Sequence, residues 1–266
     1  SHSRYASRMN VHPLFEPAGG TAFVAGAYGG LGEAIARALA ETGVAVALGG
    51  RDAAKLAALA ASIAASGGKA SAHAFDAGDV PSIRGAVADA AATLGGIDLL
   101  VNSAGVVNME SFLDTTVKNF DETLGVNVRA MMVISQVVAR DLVARKAPGA
   151  IVNISSVANT LAFQDHTTYC ISKGGVDQLT RCMAMELGPH RIRTNAVAPV
   201  MTMTPMGRKA WSDPAKSAPM SSETTRLFLS VSGTSLWTMR SASPSAIAVL
   251  PTPGSPMSTG LFLVRR

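Results

Sequence analysis

The 266-residue chain is 48% hydrophobic and 15% charged, with a mean hydropathy of +0.26 and a formal net charge of +5. This composition excludes an intrinsically disordered protein, which combines low hydrophobicity with high net charge. Two cysteines are too few for a disulfide framework or a cysteine-rich zinc site, and we predict no bound metal. No apolar run reaches 18 residues without a charge, Gly or Pro, so no membrane partner is expected.

The positive charge lies mostly outside the central part of the chain. Residues 221–266 hold four arginines against one acidic residue, whereas residues 21–220 carry a net charge of only +1. A nucleic-acid-binding protein would concentrate this charge on its folded surface, so nucleic acid is not an expected partner. Residues 1–20 lack the apolar segment of a secretory signal, which makes the cytoplasm the expected location.

Short apolar segments alternate along the chain with longer, alanine-rich segments. The short segments predict β-strands at 21–25, 44–48, 70–75, 97–101, 150–154 and 192–197. The longer segments predict helices at 31–42, 53–66, 81–94, 117–145 and 168–187. Strands that are apolar throughout are typical of a parallel sheet covered on both faces. The order predicts an α/β fold, a doubly wound parallel sheet of the Rossmann type in a single domain.

The sequence pattern changes after about residue 220. Residues 221–266 contain ten Ser, six Thr and four Pro, and the repeated prolines prevent a helix of ordinary length. The segments 227–229 and 261–264 are candidates for short strands. We therefore divide the chain into an N-terminal extension (1–20), a dinucleotide-binding and catalytic domain (21–220) and an atypical, irregular tail (221–266). A shifted reading frame near residue 221 would produce such a change.

A glycine-rich loop joins the first predicted strand to the first predicted helix. It contains the cofactor-binding candidates Gly26, Tyr28, Gly30, Leu31 and Gly32. The three glycines allow a tight turn, a close approach to a pyrophosphate and contact between helix and sheet, and the helix N-terminus favours the phosphate charge. A flexible turn is the alternative, but the position between strand and helix favours a dinucleotide site.

The end of the second predicted strand bears on the choice of cofactor. An NAD-preferring site usually has a carboxylate there for the ribose 2′-hydroxyl, whereas residues 48–50 contain no acid and Arg51 can bind a 2′-phosphate. We therefore expect NADP(H), with NAD(H) as the alternative. Asp52 could bind a ribose hydroxyl, but an N-cap of the next helix is the favoured interpretation.

Tyr169 and Lys173 form the strongest candidate for catalysis. Their i, i+4 spacing places them on one face of a helix. A free phenol has a pKa near ~10, and we expect the neighbouring ammonium to lower it. Ser156 follows the fifth strand and the turn at 102–105 follows the fourth, both at the carboxyl edge where open α/β sheets bind ligands.

Together these residues resemble the short-chain dehydrogenase/reductase family over about residues 21–206. The matching positions are Gly26, Gly30, Gly32, Asn102, Ala104, Gly105, Asn127, Ser156, Tyr169, Lys173, Pro199 and Thr204. Residues 98–220 are most similar to the L-xylulose reductase (dicarbonyl reductase) branch, through the segments 135–140, 186–193 and 210–214. Residues 44–67 are more similar to gluconate 5-dehydrogenases.

The resemblance implies a reaction mechanism. Tyr169 would donate a proton to a substrate carbonyl oxygen while a nicotinamide delivers hydride to the carbon. Ser156 would hydrogen-bond the oxygen, Lys173 would contact the nicotinamide ribose, and Asn127 would hold a water of the proton relay. These four residues are the expected catalytic set.

The resemblance also implies further ligand contacts. Asp76 matches the position that touches the adenine, and Ala104, Pro199 and Thr204 are expected beside the cofactor. His166 and Trp211 would help to form the substrate pocket with Ser156 and Tyr169. Alternatively, His166 could cap the helix that carries Tyr169, and Trp211 could be packing.

The expected function is that of an NADP(H)-dependent carbonyl reductase or alcohol dehydrogenase acting on a sugar-derived ketone or a small dicarbonyl. The alternatives are gluconate 5-dehydrogenase activity, 3-oxoacyl reductase activity, and a nucleotide-binding pseudoenzyme impaired by its C-terminus. Ala25, Val157 and Val200 depart from the family pattern, and Val157 weakens the expectation of polyol recognition. The family implies a homotetramer, but the atypical tail predicts an altered or absent assembly.

Overall fold

The computed structural model describes residues 20–200, 202, 204, 205 and 207, together with four short strands between residues 227 and 265. Within residues 20–200 the strands are β1 (Thr21–Ala25), β2 (Ala45–Gly50), β3 (Lys69–Ala74), β4 (Leu99–Asn102), β5 (Gly149–Ile154) and β6 (Ile192–Val197). The α-helices are α1 (Gly30–Glu41), α2 (Ala53–Ala65), α3 (Val80–Leu94), α4 (Val117–Leu124), α5 (Met131–Arg145) and α6 (Thr167–Leu187).

The six strands form one parallel sheet in the order β3-β2-β1-β4-β5-β6. The first strand, β1, lies in the middle of the sheet. The next two strands are added outward on one side as far as β3, and β4 then pairs with β1 on its other side. Open α/β sheets bind ligands at the carboxyl ends of the strands beside such a reversal. The predicted doubly wound sheet of the Rossmann type is confirmed, and the site is expected between β1 and β4.

Two apolar cores cover the faces of the sheet. Successive residues of β1 point to opposite faces, so that Phe23 belongs to the core under α3 and α5, while Val24 belongs to the core under α1 and α2. Both side chains are fully buried. A side chain of this size contributes about 1.5–3 kcal/mol when it is fully buried. Burial on both faces explains why the strands are apolar throughout.

Side-chain caps set the starts of several helices. Asp52 Oδ1 accepts a hydrogen bond from the Lys55 backbone amide at 3.1 Å, which confirms that Asp52 is the N-cap of α2. Asp79 caps α3 in the same way by accepting from the Ser82 amide at 3.3 Å. Helix α3 ends at Leu94, and its C-cap residue Gly95 adopts a left-handed conformation with φ of 76°.

The helix predicted over 117–145 is interrupted. Residues Gly125–Ala130 form a π-helical turn between α4 and α5. Such a turn inserts one extra residue and redirects the side chains that follow. It carries Asn127 into the interior, where this side chain is fully buried.

The described part of the tail forms two short antiparallel pairs. One joins β7 (Leu227–Val231) to β8 (Ser235–Met239), and the other joins β9 (Ala246–Ile247) to β10 (Val264–Arg265). Strand β7 agrees with the strand predicted at 227–229, and β10 overlaps the segment 261–264 only at Val264. Most of the predicted irregular tail lies outside the described residues, as do residues 1–19. No helix in the described part of the chain is long and apolar enough to cross a membrane.

Candidate active site

The glycine-rich loop lies at the carboxyl end of β1, against the turn that follows β4. Gly26 has a φ of 77°, and a Cβ at this position would lie 2.6 Å from the Ala104 backbone nitrogen. Glycine is therefore required here. The backbone amides of Gly26 and Ala27 donate to the Gly49 carbonyl at 2.8 and 3.0 Å. These contacts bring the ends of β1, β2 and β4 together at one edge.

Helix α1 begins in this loop with a terminus suited to an anion. Its N-cap residue is Gly29, which has no side chain to accept from the first-turn amides of Gly30, Leu31 and Gly32. Amides that remain open at a helix N-terminus favour a phosphate group. Thr204 lies close to the turn, since a Cβ on Gly30 would be 2.6 Å from the Thr204 Cγ2. The loop therefore fits the pyrophosphate of a dinucleotide.

The residues that follow β2 and β3 border the same edge. Arg51 is exposed, whereas Asp52 forms an ion pair with Lys55. The Lys55 Nζ lies 3.3 Å from the Asp52 carboxylate. The Lys55 backbone amide, helped by the Lys55 side chain, lowers the pKa of Asp52. The Lys55 Nζ also lies 5.6 Å from the centroid of the Tyr28 ring. Asp76 is exposed after β3, and its carboxylate accepts from the Gly78 amide at 2.8 Å.

Ser156, Tyr169 and Lys173 meet at the carboxyl end of β5. The Ser156 side chain hydrogen-bonds the Tyr169 phenol, and its Oγ accepts from the Ala158 amide at 3.2 Å. The Lys173 Nζ lies 5.5 Å from the centroid of the Tyr169 ring and donates to the Ile154 carbonyl at 2.7 Å. Helix α6 carries both Tyr169 and Lys173, and Ser156 lies two residues after the end of β5.

Burial shifts the pKa values of both groups on α6. It raises the pKa of Tyr169, an effect that the hydrogen bond from Ser156 partly offsets. It lowers the pKa of Lys173 to about 8, against the opposing effect of the Asp177 charge. The expectation that Lys173 would lower the pKa of Tyr169 is therefore wrong for this structure, because desolvation of the phenol outweighs the other effects. A phenol that stays protonated at neutral pH is suited to donate a proton.

Asn127 joins the turn after β4 to helix α6. Its Oδ1 accepts from the Val106 amide at 2.8 Å, and its Nδ2 donates to the Val106 carbonyl at 3.0 Å and to the Ser172 Oγ at 2.9 Å. A Cβ on Gly105 would lie 3.4 Å from the Asn127 Oδ1 and 3.9 Å from the Lys173 Nζ. The turn is thus held beside Lys173. A relay water at Asn127 stays a prediction.

Asn102 points into the core behind the site. Its Nδ2 donates to the Ser135 Oγ at 3.0 Å and to the Asn153 Oδ1 at 2.9 Å. The Asn153 Nδ2 donates in turn to the Thr180 Oγ1 at 2.9 Å. These buried hydrogen bonds connect β4 and β5 with α5 and α6. The Asn102 Nδ2 is committed to this network, whereas its buried Oδ1 has no hydrogen-bond partner among the described residues. Its expected cofactor contact stays a prediction.

The predicted substrate residues are only partly described. His166 is buried, and its ring centroid lies 6.3 Å from that of Tyr169. The ring contacts the Gln164 carbonyl through Nδ1 at 2.6 Å. His166 is the N-cap residue of α6, as the alternative predicted, and it caps through its backbone carbonyl, which accepts from the Cys170 amide at 2.8 Å, and not through its side chain. Trp211 lies outside the described residues. Pro199 is buried, and its carbonyl accepts from the Val157 amide at 3.2 Å beside Ser156.

Sequence reasoning missed a buried carboxylate behind the cluster. Asp177 accepts hydrogen bonds from the Ser155 Oγ at 2.5 Å and from the Asn159 Nδ2. The signal was present in the sequence, because Asp177 follows Lys173 by four residues on the helix face that carries Tyr169. No group of three His, Cys, Asp or Glu side chains suited to a metal occurs in the part of the chain that the structure describes.

The fold and the site together define a class of protein. A doubly wound parallel sheet with an open helix N-terminus after β1, and with Ser, Tyr and Lys side chains at the same edge, is typical of a dinucleotide-dependent oxidoreductase. The sequence profile described as "short chain dehydrogenase" matches residues 20–215. The chain belongs to this family, as its sequence motifs predicted.

Individual relatives agree with this assignment. L-xylulose reductase from Mesocricetus auratus is 51% identical over 135 residues, which make up 51% of this chain and 55% of that protein. D-erythrulose reductase from Gallus gallus is 43% identical over 202 residues, or 76% of this chain and 79% of the relative. The chain thus spans about half the length of the L-xylulose reductases that it matches, and the resemblance to that branch is confirmed.

A solved structure extends the comparison to the fold. This protein from Beutenbergia cavernae is described as a candidate NAD(P)-dependent gluconate 5-dehydrogenase with NADP bound at low occupancy. It superposes with a TM-score of 0.74 at 31% sequence identity, covering 78% of this chain and 82% of the other.

Proposed function

We propose that the protein is an NADP(H)-dependent carbonyl reductase, and in the reverse direction an alcohol dehydrogenase, for a sugar-derived ketone or a small dicarbonyl. The observation that carries the proposal is the contact of Ser156 with the Tyr169 phenol beside the buried Lys173. The names of two relatives, L-xylulose reductase and D-erythrulose reductase, support a hydroxylated ketone as the substrate class.

The chemistry follows from the two hydroxyl groups. A substrate carbonyl oxygen would lie between the Ser156 Oγ and the Tyr169 phenol, so that both hydroxyls can donate to it. Tyr169 would transfer its proton to this oxygen as negative charge develops there, and Ser156 would hold the oxygen in place. When bound, the reduced nicotinamide supplies the hydride that the carbonyl carbon accepts. The product is the alcohol.

The remaining residues would hold the cofactor and return the proton. The first-turn amides of Gly30, Leu31 and Gly32 would bind the pyrophosphate, and Asp76 would touch the adenine. Lys173 would hold the nicotinamide ribose and, with a water at Asn127, would reprotonate Tyr169.

The edge after β2 supports NADP(H) over NAD(H). Arg51 is exposed there, and Lys55 adds a second positive charge near Tyr28. Asp52, the one carboxylate in this segment, is occupied by its contacts with Lys55. This arrangement favours the extra phosphate of NADP(H) and leaves a ribose 2′-hydroxyl without a free acceptor at Asp52.

A panel of carbonyl compounds assayed with NADPH and with NADH tests the proposal. We expect xylulose, erythrulose or diacetyl to be reduced with NADPH, at a higher kcat/KM than 5-ketogluconate or a 3-oxoacyl thioester. Preferred turnover of 5-ketogluconate would favour the alternative hypothesis of gluconate 5-dehydrogenase activity, which the name of the Beutenbergia structure supports. Cofactor binding without turnover of any compound would show a pseudoenzyme instead.

A further inference from the structure

We propose that Asp177 is a positioning residue for carbonyl reduction: its two carboxylate oxygens fix the Ser156 segment against helix α6, and its charge is the counter-charge of the buried Lys173. This inference rests on the proposed function, since Asp177 would act through Ser156 and Lys173 and would not touch the substrate.

The first part of the inference stands on the hydrogen bonds of Asp177. One oxygen accepts from the Ser155 Oγ at 2.5 Å and the other from the Asn159 Nδ2, so the two donors flank Ser156 along the chain. Asp177 itself is 6% exposed and belongs to the same helix as Tyr169. The carboxylate therefore fixes the distance between the segment that presents one hydroxyl and the helix that presents the other.

The second part stands on the surroundings of Lys173. This side chain is 4% exposed and forms no ion pair within the described residues. The end of β5 offers it the neutral Ile154 carbonyl, and the turn after β4 brings the neutral Gly105 close to it, with the Asn127 Oδ1 beside the same glycine. The titratable groups that face it from α6 are the neutral phenol of Tyr169 and the carboxylate of Asp177.

The two parts have different consequences for the reaction. Burial lowers the pKa of Lys173 to about 8, and the Asp177 charge opposes that effect. Without the charge, less of Lys173 would be protonated at neutral pH, and the proton relay to Tyr169 would weaken. If the side chain at position 177 had a different length, the segment that carries Ser156 would shift relative to Tyr169. A misplacement of about 1 Å can reduce a rate by about a hundredfold.

Two substitutions separate charge from position. Asp177→Asn removes the charge but keeps both contacts, because its Oδ1 can accept from Asn159 and its Nδ2 can donate to the Ser155 Oγ. Asp177→Glu keeps the charge but lengthens the side chain. Asp141→Asn is the matched control, since Asp141 lies on α5 and its carboxylate pairs with Arg145. A thermal melt of each variant establishes that it is folded.

The first measurement is the pKa of Lys173 in the cofactor-free protein, obtained from an NMR titration of protein labelled with ¹³C at the lysine Cε. The Lys173 signal is assigned by its loss in Lys173→Arg. We expect Asp177→Asn to lower this pKa by about one unit or more, and Asp177→Glu and Asp141→Asn to leave it nearly unchanged. An unchanged pKa in Asp177→Asn overturns the counter-charge role.

The second measurement is the pH profile of carbonyl reduction. We expect the alkaline limb of kcat/KM to move to lower pH in Asp177→Asn, and kcat of Asp177→Glu to fall about tenfold or more while NADPH affinity stays within about twofold. Wild-type kcat in Asp177→Glu overturns the positioning role. The NMR titration requires no turnover. An inactive wild-type protein would therefore contradict the proposed function, and the titration would still show whether Asp177 is the counter-charge of Lys173.

Discussion

Tyr169 and Lys173 occupy one helix face, yet burial moves their pKa values in opposite directions, upward for the phenol and downward for the ammonium. Both shifts have the same cause, because a desolvated side chain prefers its neutral form. The phenol is thereby kept as an acid, and the lysine is brought close to the pH at which it can exchange a proton. Single-residue substitutions test these two roles.

Tyr169→Phe retains the ring that packs beside His166 and Lys173 and removes only the hydroxyl. We expect turnover to fall by at least about a hundredfold, the lower end of what a positioned acid contributes, while NADPH binding survives. Steady-state kinetics and cofactor fluorescence measure the two effects. Retention of more than about a tenth of the activity would show that another group donates the proton.

Lys173→Met tests the energetic consequence of the buried ammonium. Because the pKa of Lys173 is about 8 in the folded protein and 10.5 in the reference state, the unfolded chain binds more protons between these values. Stability of the wild type should therefore rise with pH in this window, by about 2 kcal/mol between pH 7 and 9.5 relative to Lys173→Met. Denaturant unfolding across this range measures the difference. Parallel pH profiles of the two proteins would contradict the buried charge.

Arg51→Ala tests the preference for the phosphorylated cofactor. We expect a loss of about 1.5–3 kcal/mol in NADPH binding, the value of a hydrogen bond to a charged group, and little change for NADH. Fluorescence titration with each cofactor provides the comparison. Arg181→Ala is the control, because Arg181 is exposed on α6 and hydrogen-bonds Gln178. Equal losses for NADPH and NADH would make Arg51 a structural residue.

At the scale of elements, the glycine loop and helix α1 depend on close backbone contact. A Cβ on Gly32 would lie 2.1 Å from the Gly26 carbonyl oxygen, whereas a Cβ on Gly85 in α3 would have nothing within 4 Å. Gly32→Ala should therefore displace the loop and abolish dinucleotide binding. Gly85→Ala should leave binding intact and stabilise α3 by about 0.5–1 kcal/mol. Fluorescence titrations and thermal melts distinguish the pair, and dinucleotide binding by Gly32→Ala would contradict the role of the loop.

Most of the sheet could be predicted from the sequence, because strands buried on both faces leave continuous apolar segments. The π-helical turn at Gly125–Ala130 could not, since apolar residues continue through 117–145 and one inserted residue leaves no break in the pattern. The Tyr169 and Lys173 pair was predictable from its helical spacing. The depth of their burial was not, because it depends on elements far apart in the chain, and this is why the direction of the Tyr169 shift was predicted wrongly.

At the scale of the whole molecule, the described sheet ends at β6, which pairs only with β5 within that sheet. The backbone groups on the other side of such a strand can pair with a further strand. The buried Thr194 Oγ1 on β6 also has no hydrogen-bond partner among the described residues. The hairpin of β7 and β8 forms a separate sheet and does not continue this one.

Replacing residues 221–266 by a family-type ending that supplies a seventh parallel strand should raise the melting temperature and the soluble yield. The added strand would pair with β6 and cover apolar surface, and we expect the natural chain to aggregate more readily and to show an altered or absent assembly. Calorimetry and light scattering compare the two proteins. A sharp cooperative melt and a homogeneous tetramer of the natural chain would contradict this interpretation of the tail.

The hydrogen bonds from Asn102 through Asn153 to Thr180 also constrain how the sequence can diverge. Each member of this series hydrogen-bonds at least one buried neighbour, so a single apolar replacement leaves a buried donor or acceptor unpaired, at about 1–3 kcal/mol. Simultaneous replacement of all three by apolar residues, together with Ser135, which also accepts from Asn102, removes the mismatch. These positions should therefore be inherited as a group. A mutational scan should show strong epistasis among them, whereas neighbouring apolar positions should change independently of one another.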